Sequence, residues 1–131
     1  MRSKLPNLTI IGALAILLVA CAKPIMTIDN APVSPSSANY DLSDVTKAIK
    51  SAGVGLGWQM QEVTPGHIVG TLYKRSHMAK VDISYSLDDY SIHYKDSNNL
   101  DYDAAANTIH RNYNNWIQSL NHAINAQLVK L

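Results

Sequence analysis

Between Ala79 and Asp96 the chain alternates apolar and polar residues, and this limits the fold more than any other stretch. Ala79, Val81, Ile83, Tyr85 and Leu87 alternate with Lys80, Asp82, Ser84 and Ser86. That is the period of a half-buried strand. Tyr90, Ile92 and Tyr94 then alternate with Ser91, His93 and Lys95. Asp88-Asp89 reads as the two-residue loop of a hairpin. Such a loop sets a register: Leu87 opposite Tyr90, Tyr85 opposite Ile92, Ile83 opposite Tyr94, Ser84 opposite His93 and Asp82 opposite Lys95. Apolar residues then meet apolar ones, and opposite charges meet on the other face. A sheet with one apolar face needs other elements to cover it.

The flanking segments supply that cover. Leu42, Val45, Ile49 and Ala52 fall at helical spacing, with Asp41 or Ser43 as cap and Asp44 in the first turn. Gly53, Gly55 and Gly57 end this helix. Trp58 to Thr64 and His67 to Arg75 read as two more strands, joined through Pro65-Gly66, a type II turn pair. Asp96 to Asn107 is polar and turn-rich. Ile109, Tyr113, Trp116, Ile117, Leu120, Ile124, Leu128 and Leu131 then make one stripe on a long final helix capped by Asn107 or Thr108. Trp116, in mid-stripe, is expected to be buried between helix and sheet. The fold class that follows is α+β: a four-stranded antiparallel meander with an N-terminal and a C-terminal helix on one face, a two-layer sandwich.

The N-terminal segment has a different character. Arg2 and Lys4 precede an apolar run that ends in Leu18-Val19-Ala20-Cys21, and Cys21 is the sole cysteine. The uninterrupted apolar stretch, Ile10 to Ala20, is shorter than the ~20 residues a membrane span needs. The arrangement resembles a bacterial lipoprotein signal peptide with its lipobox. The resemblance implies cleavage between Ala20 and Cys21, a diacylglyceryl group on the Cys21 sulfur and acylation of the new amino terminus. Two or three chains hold a protein firmly where one does so marginally. Ala at position 22 implies, by the same resemblance, the periplasmic leaflet of the outer membrane. Residues 1–20 would be the signal peptide, 21–39 the lipidated cysteine and a flexible tether, and 40–131 a periplasmic domain. Lys23-Pro24, Ala31-Pro32 and Ser34-Pro35-Ser36-Ser37 give the tether its composition. Ile25, Ile28 and Val33 leave open an alternative, a short strand on the domain edge.

Removing Arg2 and Lys4 with the leader leaves nine basic against ten acidic side chains. That balance argues against nucleic acid, which demands a basic stripe. With Cys21 committed to lipid, no disulfide or cysteine-based zinc site remains. His67, His77, His93, His110 and His122 form no i, i+4 pair, so no metal or other cofactor is expected. The open sheet face offers Ser84, His93 and Asp82 as a Ser-His-Asp combination, but a flat face has neither an oxyanion hole nor a pocket, and Lys95 competes for Asp82. Arg75 and His77, beside Lys74 and Lys80, fit an anionic head group or carboxylate. Tyrosines near Asn112, Asn114 and Asn115 suit a sugar or peptide. The candidate binding surface is therefore Ser84, His93, Lys95, Arg75 and His77, with no catalytic residue assigned.

Gly57-Trp58, Pro65-Gly66, Arg75-Ser76-His77, Ile83-Ser84-Tyr85, Tyr90-Ser91-Ile92-His93-Tyr94, Ser97-Asn98-Asn99-Leu100 and the run Ile109 to Trp116 resemble a group of small, uncharacterised proteobacterial lipoproteins. The resemblance implies a location and brings no activity with it. The function expected is a membrane-anchored envelope lipoprotein acting as a non-enzymatic module for a protein, peptide or glycan partner. The alternative is a small periplasmic hydrolase or envelope-remodelling enzyme.

Overall fold

The computed structural model describes residues 22–131, together with Ser3, Lys4 and Gly12. Ala20 and Cys21, the expected cleavage and lipidation positions, lie outside the described residues. Among the described residues no helix is long and apolar enough to cross a membrane.

The protein is α+β, with two helices, a five-stranded antiparallel sheet and a two-stranded one. The elements are β1 (Ala22–Pro24), β2 (Ile28–Pro32), α1 (Leu42–Gly55), β3 (Gln59–Thr64), β4 (His67–Lys74), β5 (His77–Tyr85), β6 (Asp89–Asn98), β7 (Thr108–His110) and α2 (Arg111–Leu128). The large sheet runs β2-β6-β5-β4-β3, and β1 pairs with β7. The expected four-stranded meander is therefore β3 to β6, and three further strands lie around it.

Those strands replace the tether over its first half. Ala22 pairs with His110 and Ile28 with Ile92. Val33 is buried and its N–H bonds the Asp88 carbonyl at 2.9 Å. Pro24 and Pro32 close their strands, where a missing N–H costs little. A proline-rich segment is extended by its own local preference, and an extended segment is also what a sheet edge accepts. Residues 22–24 and 28–32 are thus paired strands of the fold.

Helix α1 begins as its sequence implies. Asp41 Oδ1 accepts from Asp44 N–H, Asp44 Oδ2 accepts from Asp41 N–H, and both distances are 2.9 Å. This reciprocal capping box satisfies two otherwise orphan donors. Helix α2 starts later than expected. Thr108 and Ile109 belong to β7, and His110 is the cap, its Nδ1 accepting from Asn112 N–H at 3.2 Å.

The β5–β6 hairpin keeps its faces and changes its register. Tyr85 pairs with Tyr90, Ser84 with Ser91, Ile83 with Ile92 and Asp82 with His93. This is a slip of two residues from the expected pairing. The loop tightens around Leu87-Asp88, because Ser86 N–H bonds the Asp89 carbonyl at 2.9 Å and Ser86 Oγ takes Asp88 N–H at 3.1 Å. A slip of two preserves the side of every side chain, whereas a slip of one would invert it. Only Leu87 loses its place and stands exposed. Lys95 becomes the extra residue of a bulge, and Lys80 pairs with Asp96.

The apolar residues meet in rows across the sheet. Ile68, Ile83 and Ile92 are transverse neighbours and fully buried. Gly70 stands between Met60 and Val81, where a Cβ would come within 3.2 Å of both side chains and 3.3 Å of the Trp58 ring. Its bare backbone lets Trp58 pack flush. Val45, Ile49 and Ala52 of α1 and Tyr113, Ile117, Leu120, Ile124 and Leu128 of α2 join the same core. Trp116 does not fulfil its expectation: it is only partly buried, at the edge of the cluster.

Candidate functional site

The polar face of the large sheet carries two linked sets. His67 Nε2 bonds Asp82 Oδ1 at 2.7 Å, and Lys95 Nζ lies 3.4 Å from the same carboxylate. His93 Nε2 bonds Asp29 Oδ1 at 2.6 Å, joining β6 to β2. In both contacts the ring Nε2–H donates to the carboxylate. Because of the two-residue slip, His93 faces Asp82 in the ladder and Ser84 faces Ser91. The Ser84–His93 pairing expected from sequence is absent. Ser84 instead stands opposite His67 on β4, so the histidine across from Ser84 is already held by Asp82. Both His93 and Asp29 are more than half exposed.

The β4–β5 turn assembles a second constellation with the start of α2. Arg75 takes a left-handed backbone, with φ of 56°. His77 Nδ1 donates to the Asn99 carbonyl at 2.6 Å, and Asn99 Nδ2 donates to Ser76 Oγ at 2.8 Å. The His77 ring stacks on His110 with centroids 6.2 Å apart and meets the Trp116 indole at 6.1 Å. These contacts hold a pocket of about 240 Å³ lined by Lys74, Arg75, His77, Asn112 and Trp116. Lys74 and Trp116 also border a recess of about 110 Å³ lined by Leu56, Trp58, Leu72 and Ser119. Among the described residues neither Lys74 nor Arg75 is ion-paired.

The five candidate residues thus separate. Arg75 and His77 converge at this pocket, whereas Ser84, His93 and Lys95 lie on the polar sheet face. The seven residue steps from His77 to Ser84 span about 23 Å at ~3.3 Å per step. Sequence reasoning set Asn112 beside a tyrosine rim, not beside Arg75 and His77, and set Trp116 in the core. The signal available was modest: both lie on one side of α2 at i, i+4 spacing, and the stripe rule assigned Trp116 to the core.

A third region gathers tyrosines. Tyr94 stacks on Tyr102 at 4.1 Å and meets Tyr113 edge-on at 5.7 Å. A shallow bay of about 590 Å³ runs along Tyr94 to Tyr102. Tyr94 OH shares a hydrogen bond with Ser97 Oγ at 2.8 Å. Burial raises the Tyr94 and Tyr113 hydroxyls above the usual phenol range, and raises Tyr90 to about 12. Asn114, expected at a recognition rim, is a clasp: its Oδ1 accepts from Met26 N–H at 2.8 Å and its Nδ2 donates to the Pro24 carbonyl at 2.9 Å.

Among the described residues no group of three or more His, Cys, Asp or Glu side chains is placed to hold a metal ion. No protein-family model, curated protein or solved structure matches this chain.

Proposed function

We propose that the chain is a lipid-anchored envelope protein whose folded part is a non-enzymatic binding module. In this reading Cys21 carries the lipid, residues 1–20 are removed, and the module faces the periplasm from the outer membrane. The two helices act as a second layer over the apolar sheet face, a reading supported by their shared core. The observation that carries the binding role is the pocket at Lys74, Arg75, His77, Asn112 and Trp116. Two cations without an ion pair among the described residues, beside a partly buried indole ring, form a site suited to an anion. Intact-mass measurement of the protein from its native envelope tests the anchor; a free Cys21 thiol or a retained leader refutes it. Titration of Trp116 fluorescence with small carboxylates tests the pocket, and a response that survives Arg75→Gln refutes the assignment.

A hydrolase reading draws on one observation. Ser84 faces His67, and His67 is held by Asp82 at 2.7 Å. This is the order of a nucleophile, base and orienting carboxylate. The His67 and Asp82 side chains are each about a third exposed, so water reaches the pair. A fluorophosphonate probe that labels the wild type and not Ser84→Ala would favour hydrolysis over binding.

A further inference from the structure

We infer that the Trp116 pocket takes the carboxyl terminus of a peptide whose last side chain is aliphatic. This deepens the binding reading above and rests on it. The groove has two unlike halves that meet at Trp116 and Lys74. One half presents Arg75 and Lys74, and neither half is lined by a carboxylate. A ligand there must bring negative charge, and a planar guanidinium matches a carboxylate through two parallel hydrogen bonds. The other half is walled by Leu56, Trp58 and Leu72. Lys74 and Ser119 complete its wall, so a short apolar group next to the anion meets Leu56, Trp58 and Leu72 with polar groups at the rim.

Size then selects among anionic amphiphiles. The apolar recess holds about 110 Å³. This is of the order of a short aliphatic side chain such as leucine or valine, and it covers only the first carbons of a lipid's acyl chain. A carboxylated sugar satisfies the cationic half and leaves Leu56 and Leu72 against hydroxyl groups. A terminal residue places its carboxylate and its side chain on the same Cα, which suits two adjoining subsites. Asn112 adds an amide able to pair with the peptide backbone next to the carboxylate. Capture of a C-terminal carboxylate is an established mode of peptide recognition.

The test uses the full chain and a fluorescein-labelled peptide of four glycines ending in leucine, followed by anisotropy. The free acid should bind saturably. The C-terminal amide should bind at least about tenfold more weakly, as should the free acid to Arg75→Gln, since a charged pair contributes roughly one decade. A peptide ending in serine should lose about fivefold or more, the contribution of a buried aliphatic side chain being of that order. Unchanged melting of Arg75→Gln shows that its fold is retained. Equal binding of acid and amide, or of leucine and serine ends, overturns the inference. Glucuronate and dodecanoate are tested alongside by Trp fluorescence. If either acts through Arg75 while the leucine peptide does not bind, the ligand class is wrong and the pocket reading stands. If no probe binds, both fall.

Discussion

Two tyrosine-to-phenylalanine exchanges should change stability in opposite directions. Tyr113 is fully buried, and its hydroxyl has no hydrogen-bond partner among the described residues. Tyr90 is equally buried, but its hydroxyl lies 2.5 Å from Asn121 Oδ1 and 2.9 Å from Asn125 Oδ1. A phenol has one proton to give, so one of these amides turns to present its NH₂. An unpaired buried hydroxyl costs about 1–3 kcal/mol. Removing one oxygen leaves a void of roughly 10–15 Å³, which returns only a few tenths of a kcal/mol. Tyr113→Phe should therefore stabilise the protein by about 1–2 kcal/mol, raising Tm by roughly 4–8 °C. Tyr90→Phe loses two hydrogen bonds of about 0.5–1.5 kcal/mol each and should lower stability by about 1–3 kcal/mol. Urea unfolding followed by Trp fluorescence measures both, with a constant m-value confirming that stability alone has changed. If Tyr113→Phe unfolds at or below the wild-type midpoint, its hydroxyl has a partner such as a bound water, and the argument is refuted.

The same two residues set an alkaline limit. Burial raises Tyr90 to about 12 and Tyr113 upward from the ordinary value of 10.0. The unfolded chain releases these protons first. Stability should hold up to about pH 10 and fall above it, and urea midpoints should show a shallower fall in Tyr113→Phe. Trp58, at 3% exposed, should cost about 3–5 kcal/mol on change to Ala, and partly buried Trp116 about half as much; equal losses would restore Trp116 to the core. Gly66 sits at φ +87°, and a Cβ there would lie 2.9 Å from the Tyr85 carbonyl oxygen. Gly66→Ala should cost about 1–3 kcal/mol by thermal melting.

Local patterns in the sequence specified which segments form the central elements and which side each residue faces. The alternation from Ala79 to Tyr94 assigns Val81, Ile83, Tyr85, Tyr90 and Ile92 to the core, and all five are buried. The stripe of α1, its Asp41 cap and the Pro65-Gly66 turn are equally local. Each depends on neighbours a few residues away, so periodicity and turn chemistry suffice.

Tertiary structure decided what depends on distant partners. The hairpin slip is invisible to alternation because two residues restore the same face; hydrogen bonds to Ser86 selected it. That slip gave Asp82 to His67 and left His93 to Asp29. The strands before α1 carry no strong pattern of their own, and their partners lie 57 to 88 residues away in β6 and β7. Trp116 belongs to an apolar stripe, yet its burial depends on how far the sheet reaches beneath α2. At that edge the indole meets Lys74, Arg75 and His77 from a turn nearly forty residues earlier in the chain. A periodic sequence determines the side of a helix or strand; only packing determines whether that side has something against it.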